Sequence, residues 1–419
     1  MAPKRPLHVV ILAGGEGKRM GSDQPKVLLD LLGRPIVGHV IDAARALGPR
    51  SLIVVGGRGL PDIKRAMAAE DDLTFVRQPK PLGTANAVKH ALKALPKRGA
   101  HEVLILNGDG PLVTSASLRK TLQTHRRRKA QVTVISAIVP EPTGLGRIIR
   151  DGRGRFLEVV EEKDATDDQR EIPEINAGQY VVGLPDLHRL LPRIGRGNVQ
   201  GEFYLTDLIG LADRVAAVPL DDAEEARGLN DPKELLEVRD LMRRRVLERH
   251  AAAGVQIVAP DLTYVEAGVY IAPGSVVLPF TVLRRGVSIA PRCSVGPFAH
   301  LRPGTALHED VHVGDFVEIK ASTLGQGSKA LHLAYLGDTD LGKGVNVGAG
   351  TITANFDGRR KHRTIVEDGV SLGSGTILVA PVTVGKGSRT GAGAVVLSGQ
   401  DVPSGETVVG VPARKKRRR

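Results

Sequence analysis

The sequence predicts two folds in one chain, an α/β sheet domain followed by a parallel β-helix. Near the start of the chain, an apolar strand runs directly into a glycine-rich loop. In the C-terminal part, an aliphatic side chain recurs at every sixth position. A capped helical segment lies between the two regions. Each feature is typical of one element, and together they give the order of the domains.

The sheet domain is predicted from residues 8–13 (HVVILA), whose length and β-branched residues are typical of a buried parallel strand. The loop that follows, residues 14–20 (GGEGKRM), offers exposed backbone N–H groups to phosphate oxygens. It lacks the third glycine of the dinucleotide fingerprint and the Gly-Lys-Ser/Thr end of a P-loop. Further strands are predicted at residues 51–55, 103–106 and 132–138, with helical stretches between them. This alternation predicts a Rossmann-like, mostly parallel sheet with helices on both faces.

The connecting helix is predicted to begin after Asn230. Asp231 is a typical N-cap, Pro232 suits the first helical position, and Glu234 stands at the third. The helical pattern ends at Gly254. We therefore assign residues 1–230 to the sheet domain, 231–253 to the connecting helix, 254–412 to the β-helix and 413–419 to a basic tail.

The β-helix is predicted from the six-residue period, which is neither the helical nor the strand period. Each hexad must therefore be one short strand plus a corner, stacked on its neighbours. The repeat stops between Lys320 and Val366, and we expect a groove between neighbouring subunits there, because three flat faces leave no pocket inside one solenoid. The repeated positions are Val265, Ile271, Val277, Leu283, Ile289, Val295, Leu301, Leu307, Val313 and Ile319, then Val366, Leu372, Leu378, Val384, Thr390, Val396, Val402 and Val408.

The composition limits the classes of function. A net charge of +13 favours polyanionic substrates such as nucleotides and sugar phosphates. Aromatic residues make up only 3% of the chain and tryptophan is absent, so nucleic acid is not an expected partner. The single cysteine, Cys293, excludes an intramolecular disulfide and thiolate-rich metal sites. No apolar run reaches the roughly 18 residues of a membrane span, and no signal peptide is recognisable, so we expect a cytoplasmic protein without membrane contact.

Two motifs carry a family resemblance. Residues 12–20 (LAGGEGKRM), followed by 25–28 (PKVL), resemble the signature of sugar-phosphate nucleotidyltransferases. With the solenoid segments 301–304 (LRPG), 316–320 (FVEIK) and 348–353 (GAGTIT), the chain resembles the bacterial family of bifunctional GlmU enzymes. The resemblance implies a left-handed β-helix of hexapeptide repeats and a homotrimer. It also implies two reactions of UDP-N-acetylglucosamine synthesis: acetylation of glucosamine-1-phosphate by acetyl-CoA, then transfer of UMP from UTP to N-acetylglucosamine-1-phosphate with release of pyrophosphate.

The uridylyl transfer joins two anionic partners, so its catalysis must be positioning and charge neutralisation. The resemblance implies that Arg19 and Lys26 are the catalytic cations over the triphosphate. It also implies that Asp109, in the segment GDGPL, and Asn230 hold Mg²⁺, a cation that prefers such oxygen ligands. The alternative for either residue is a helix cap.

The remaining contacts of the first domain follow from the resemblance. Glu161 has an alternative role as a solvated charge. Two residues depart from the family pattern: Pro81 replaces a glutamine that helps to read the base, and Lys18 replaces a threonine or serine in the phosphate loop. The residues implied in nucleotide and sugar binding are Leu12, Gly14, Gly15, Lys26, Gln78, Gly83, Thr84, Gly146, Glu161, Asn176 and Asn230.

The acetyl transfer needs a base, because an ammonium group has no lone pair. The candidate is His332, in the segment ALHLAYLGD, with Glu318 nearby in sequence to fix its tautomer. The alternative is a structural or merely exposed histidine. Phe356 stands where the family has a tyrosine. The residues implied in binding the sugar phosphate and acetyl-CoA are Arg302, Lys320, Tyr335, Asn346, Asn355, Phe356, Lys361, Ser374 and Ala392.

Two other functions stay open at this point. The chain could be a monofunctional uridyltransferase whose solenoid only trimerises it; His332, Lys320 and Asn355 argue against this alternative. It could also resemble the exchange subunits of eukaryotic translation factors, which fuse the same two folds and act as binding proteins. Such a protein would not need the full set of phosphate-transfer residues that this chain carries.

Overall fold

The computed structural model describes residues 5–15 and 24–416. It divides the chain after Val238 into two compact units, which are described separately. The division falls inside helix α8 (Pro232–Ala252), the helix that was predicted to connect the domains. The Asp231 carboxylate accepts a hydrogen bond from the Glu234 N–H at 2.9 Å, so Asp231 caps the helix as its sequence suggests.

The first unit is built on a nine-stranded sheet in the order β11-β7-β10-β6-β1-β4-β5, to which β8 and β9 are attached beside β10. Strand β1 is parallel to β4 and β6, β4 to β5, and β7 to β11, whereas β10 is antiparallel to both of its neighbours. The predicted mostly parallel sheet is therefore confirmed. The nine strands are β1 (Leu7–Ala13), β4 (Ser51–Gly56), β5 (Leu73–Arg77), β6 (Glu102–Asn107), β7 (Val132–Ile138), β8 (Arg147–Arg150), β9 (Phe156–Val160), β10 (Glu174–Gly183) and β11 (Val215–Pro219). Two short strands, β2 (Asp30–Leu31) and β3 (Arg34–Pro35), form a separate antiparallel pair.

Helices cover both faces of this sheet. Side chains alternate along β1, so Val9 and Ile11 join the core on one face and Val10 joins the core on the other. Both cores are built mainly from aliphatic side chains, which pack the helices against the sheet. The helices are α1 (Ile36–Arg45), α2 (Leu60–Ala66), α3 (Thr84–Ala91), α4 (Ser115–Arg128), α5 (Asp167–Arg170), α6 (Leu184–Leu190) and α7 (Leu208–Leu211), followed by α8.

The second unit is a solenoid of short parallel strands in three sheets, one for each face. The first face contains Gln256–Ile257, Val276–Val277, Ser294–Val295, His312–Asp315, Lys329–His332, Asn346–Val347, Ser371–Leu372, Arg389–Thr390, Thr407–Val409 and Arg414–Lys415. The second face contains Tyr264–Val265, Val282–Leu283, His300–Leu301, Glu318–Lys320, Tyr335–Gly337, Ile352–Ala354, Ile377–Val379 and Val395–Val396. The third face contains Tyr270–Ile271, Ser288–Ile289, Ala306–Leu307, Thr323–Leu324, Thr339–Leu341, Thr364–Val366 and Val382–Val384.

The six-residue series marks the interior of this solenoid. Every predicted position is buried, and the most exposed of them, Val408, shows only 8% of its surface. The period therefore reports one inward side chain per face and per coil. The predicted parallel β-helix is confirmed.

The break predicted between Lys320 and Val366 is a change in the six-residue register, and the solenoid itself continues through it. Strands continue through this segment, and Leu324, Ala330 and Leu336 are buried like the hexad positions before them. What changes is the length of a coil. Paired positions are 18 residues apart in the regular part, 17 apart across this segment and 25 apart where a loop leaves the coil after the Ile352–Ala354 strand.

The end of the solenoid includes part of the basic tail. Arg414–Lys415 pairs antiparallel with Thr407–Val409, and the Lys415 ammonium contacts the Glu406 carboxylate at 2.6 Å. The last three arginines lie outside the described residues. Among the helices of the described chain, none combines the length and the apolar character that crossing a bilayer would require.

Candidate active sites

The carboxyl ends of β1 and β6 border a cavity of about 330 Å³. These strands are adjacent and parallel, so the loops that follow them meet at one edge of the sheet. Close approach requires glycine at 108, because a Cβ there would lie 2.9 Å from the Leu12 carbonyl oxygen. Most of the residues predicted to bind nucleotide or metal line this cavity, namely Leu12, Gly14, Gly15, Gln78, Gly83, Thr84 and Asp109.

Lys26 lies between the two predicted metal ligands. Its ammonium nitrogen is 2.5 Å from the Asp109 carboxylate and 3.4 Å from the Asn230 side-chain oxygen. The same nitrogen donates to the Leu229 carbonyl oxygen at 2.9 Å. Residues far apart in sequence thus place three oxygens around one cationic group.

Neither predicted metal ligand serves as a helix cap. Helix α4 is capped by the Thr114 side chain, and α8 is capped by Asp231. Asp109 and Asn230 instead direct oxygens to the same point, which suits a hard divalent cation that also takes phosphate and water oxygens. Among the described residues, no group of three or more His, Cys, Asp or Glu side chains could hold a metal.

The predicted base-reading residues are held by local hydrogen bonds. The buried Gln78 side chain donates to the Gly83 carbonyl oxygen at 3.2 Å and to the Asn86 side-chain oxygen at 3.1 Å. Gly83 precedes helix α3 with φ of 103°, and a Cβ there would lie 2.5 Å from the Phe203 carbonyl oxygen, so only glycine fits. The Thr84 hydroxyl accepts from the Leu205 N–H at 2.9 Å.

The three residues predicted to hold the sugar lie together. The Gly146 carbonyl oxygen accepts from the Asn176 N–H at 2.8 Å, and a Cβ at Gly146 would lie 3.3 Å from a Glu161 carboxylate oxygen. The Asn176 amide donates to the Tyr180 hydroxyl at 2.7 Å, and the Thr206 hydroxyl donates to Glu161 at 3.2 Å. Burial raises the pKa of Glu161. Glu161 is therefore not a solvated surface charge.

In the solenoid, Lys320 and Arg302 on the second face come together with Lys361 of the loop beyond it. Lys320 is close enough to Lys361 for a hydrogen bond, and this neighbouring ammonium lowers the pKa of Lys320. Arg302 lowers it further, while the Asp338 carboxylate acts in the opposite direction. Arg302 itself pairs with Glu318 at 2.7 Å. Neighbouring cationic groups of this kind favour a bound anion.

Tyr335 and Asn355 lie beside these cations in the same part of the solenoid. A Cβ at Gly337 would lie 2.6 Å from the Tyr335 hydroxyl oxygen and 2.7 Å from the Asn355 amide nitrogen, so both side chains pack over this glycine. The Asn355 amide also donates to the Asp338 carboxylate. Phe356, which follows Asn355 in the loop, is 60% exposed.

His332 ends a strand of the first face, and its partner is not the predicted one. Its Nδ1 atom is 2.8 Å from the Asp315 carboxylate, whereas Glu318 pairs with Arg302. The prediction that Glu318 fixes the tautomer of His332 is therefore wrong. Glu318 lies on the second face of the solenoid, opposite Tyr335, whereas His332 lies on the first face.

Other residues predicted for the acetyltransferase site extend along the solenoid from His332. Asn346 begins the next strand of the first face. Ser374 and Ala392 follow the two strands after that, and the Ser374 carbonyl oxygen accepts from the Gly393 N–H at 2.8 Å. The predicted residues thus form two groups in one chain. One group, with His332, follows the first face, and the other, with Lys320, lies on the second face and in the loop beyond it.

Comparison with known proteins identifies the family. Residues 9–170 match the model of the MobA-like NTP transferase domain. The bifunctional protein GlmU of Rubrobacter xylanophilus is 40% identical, over 98% of this chain and 94% of its own length. The same protein of Caldanaerobacter subterraneus subsp. tengcongensis is 40% identical over 96% and 95%, and that of Fervidobacterium nodosum is 38% identical over 96% and 94%. This chain belongs to the bifunctional GlmU family.

Membership in the GlmU family confirms the predicted class of enzyme. The chain is a bifunctional transferase that joins a uridyltransferase to an acetyltransferase. Its solenoid is of the left-handed hexapeptide type, as the six-residue period and the resemblance predicted. The likeness covers both units, so neither is an unrelated addition to the other.

Some residues of the first cavity were not predicted, and one predicted residue cannot be located. Asn107 and Glu202 line the cavity, as does Pro81, the departure noted in the sequence. Asn107 could have been found as the last residue of β6, directly before the glycine of the GDGPL segment. Glu202 lies in an irregular stretch with no signal of its own. Arg19 lies outside the described residues.

Proposed function

We propose that this enzyme acetylates glucosamine-1-phosphate with acetyl-CoA and then transfers UMP from UTP to the product, with Mg²⁺ at the second reaction. It would act as a homotrimer in the cytoplasm, on small-molecule substrates alone. One observation carries the proposal: each unit brings lysines predicted to bind phosphate next to another predicted site residue, Lys26 beside Asp109 in the sheet domain and Lys320 beside Lys361 in the solenoid.

For uridylyl transfer, the proposed residues act by position and charge. The sugar phosphate attacks the α-phosphorus of UTP, a P–O bond forms, and pyrophosphate leaves. Lys26 supplies positive charge at the phosphates, while Gln78 and Gly83 orient the base, and Glu161 and Asn176 orient the sugar. Asp109 and Asn230 would hold Mg²⁺, which offsets phosphate charge when bound. The buried strand ends keep these groups fixed, so little rearrangement is needed at the reacting atoms.

For acetyl transfer, one group of proposed residues binds the sugar phosphate and a different residue accepts the proton. Arg302, Lys320 and Lys361 would hold the sugar phosphate, since a dianion relieves the repulsion between the two lysines. His332 would take a proton from the substrate nitrogen as that nitrogen attacks the acetyl carbonyl carbon. Ser374 and Ala392, further along the same edge, are proposed to contact acetyl-CoA, together with Asn355 and Phe356.

The proposed trimer is supported by an exposed apolar ladder on one corner of the solenoid. The ladder consists of Phe280, Phe298, Phe316 and Leu333, which are 45–61% exposed in a single chain. The three rings stack with centroids 4.7 and 5.1 Å apart. A continuous apolar strip of this kind marks a protein interface. It runs beside Asp315 and His332, so a neighbouring copy that covers it would also border the proposed base.

Replacing Phe298 with aspartate is expected to dissociate the trimer. The change puts a charge in the middle of the ladder, at a left-handed position (φ 53°) whose backbone aspartate tolerates. Light scattering over a range of concentrations should then report a smaller particle than the unchanged protein. Tyr270→Asp is the matched control, because Tyr270 is 61% exposed but lies on the third face. An unchanged trimer in Phe298→Asp would show that the ladder is not the interface.

The proposed function is tested by a two-part assay of the purified protein. Pyrophosphate release is measured with UTP, N-acetylglucosamine-1-phosphate and Mg²⁺, and free CoA release with acetyl-CoA and glucosamine-1-phosphate. Both products are expected. Release of pyrophosphate without CoA would indicate that the solenoid only trimerises the enzyme, and the absence of both would overturn the proposal.

A further inference from the structure

A carboxylate and an imidazole face each other across two neighbouring strands of the solenoid. The strands His312–Asp315 and Lys329–His332 are parallel, and their register sets Asp315 directly opposite His332. One Asp315 carboxylate oxygen lies 2.8 Å from the His332 Nδ1 atom. The pair is set by the strand register rather than by chance contact of two long side chains.

The surroundings of His332 contain few other charges. His332 is the last residue of its strand. Lys329, the first residue of that strand, lies opposite His312 of the preceding coil, at the other end of the strand pair. The strand above begins with Asn346, opposite Lys329, and the Gly350 N–H that approaches the His332 carbonyl oxygen carries no side chain. Among the described residues, Asp315 is the ion-pair partner of His332, and no second carboxylate joins it.

The pair determines which ring nitrogen is available. When Asp315 is ionised, it can only accept, so the Nδ1 atom of a neutral His332 carries the ring hydrogen and Nε2 is left with its lone pair. The hydrogen bond from His332 lowers the pKa of Asp315, which keeps this carboxyl ionised down to lower pH. The tautomer with a basic Nε2 is therefore held throughout the neutral range.

We propose that Asp315 is a positioning residue for acetyl transfer, which holds the His332 ring with Nε2 free to accept the proton of the substrate nitrogen. The proposal rests on the proposed role of His332 as the base. In the step, the neutral amine nitrogen of the sugar forms a bond to the acetyl carbon and the carbon–sulfur bond breaks. The amine proton passes to Nε2, and the departing CoA thiolate takes it up, which leaves the amide, free CoA and a neutral ring.

Two substitutions separate orientation from charge. Asp315→Asn keeps an oxygen that can accept from Nδ1 but removes the negative charge, and Asp315→Ala removes both. We expect turnover of acetyl transfer to fall by about 10- to 100-fold in Asp315→Ala, the range typical of residues that orient a functional histidine, and by less in Asp315→Asn. In both variants the pH profile of acetyl transfer should differ from that of the unchanged enzyme, because the negative charge that faces the ring is gone.

The experiment uses the full-length protein and measures the turnover, the Michaelis constant for acetyl-CoA and the pH profile of CoA release. Asp310→Asn is the matched control. Asp310 is an exposed aspartate of the same solenoid, pairs with Arg292 at 2.7 Å, and has a left-handed backbone (φ 58°) that asparagine tolerates. Its turnover and pH profile should equal those of the unchanged enzyme, and light scattering should give the same particle size for all variants.

Two results would overturn the inference. One is turnover in both Asp315 variants within about twofold of the unchanged enzyme, well below the loss expected for an orienting residue. The other is lower turnover with an unmoved pH profile, which would indicate a purely structural role. His332→Ala, measured in parallel, separates this failure from failure of the proposed base. If His332→Ala is inactive while the Asp315 variants are normal, only the role of Asp315 is lost. If His332→Ala keeps full acetyl transfer, the proposed base itself is wrong.

Discussion

Replacing His332 with alanine is expected to lower the turnover of acetyl transfer by about 10²- to 10⁴-fold, the usual contribution of a general base. The amine must lose a proton as it attacks, and the variant has no group at that position to accept it. Affinity for acetyl-CoA should change little, because the proposed contacts to the cofactor lie on later coils. Turnover is measured as free CoA release, and affinity by calorimetry.

Two further measurements make this test specific to a base. Raising the pH should partly restore turnover in His332→Ala, because more of the substrate amine is then already neutral. Pyrophosphate release by the sheet domain should stay at the level of the unchanged enzyme. Near-normal CoA release in His332→Ala would instead make this histidine structural, and the base would have to be another group or a bound water.

Replacing Asp109 with alanine is expected to lower uridylyl transfer by about 10³-fold or more, since charge neutralisation by a bound cation is worth several kcal/mol in such reactions. The change removes the carboxylate ligand proposed for Mg²⁺ and leaves only the Asn230 amide oxygen. It also leaves Lys26 without its ion-pair partner. Acetyl transfer should be unaffected, because the two clusters belong to different units. Pyrophosphate release over a series of Mg²⁺ concentrations measures the effect.

The matched control is Asp221→Ala. Asp221 also pairs with a lysine, Lys120, at 2.7 Å, but this pair is exposed and lies outside the cavity. Uridylyl transfer should be normal in that variant. Equal loss of both activities in a folded Asp109→Ala trimer would contradict the assignment of two independent sites.

The sequence predicted the solenoid well because its signal is local. Each inward side chain recurs after a fixed number of residues, so burial can be read directly from spacing, and even Thr390 in the series is 5% exposed. Strand β1, which Gly14 and Gly15 follow directly, was predicted for a similar reason, since its apolar run is continuous in the chain. Such features need no knowledge of distant contacts.

The candidate sites depend on contacts that spacing does not reveal. Lys26 and Asn230 are 204 residues apart, and only the family resemblance suggested that they act together. Proximity in sequence was misleading for His332, because Glu318 and Asp315 are both about one coil away and the register of the coil decides which one meets the ring. Glu202 lines the cavity from an irregular stretch, where neither periodicity nor a motif marks it.

The shortened coil makes the strand register sensitive to chain length at one corner of the solenoid. Ile319 and Leu324 are successive buried positions only five residues apart, and the missing residue is what sets Asp315 rather than Gly314 opposite His332. Adding one residue at that corner would realign the next three strands, which start at Thr323, Lys329 and Tyr335, by one position against the coil before them. The longer loop between Asn355 and Thr364 leaves the strands on either side paired in order. Changes of length in this loop therefore leave the strand register intact, whereas a change of length at the corner after Ile319 would take Asp315 out of register with His332.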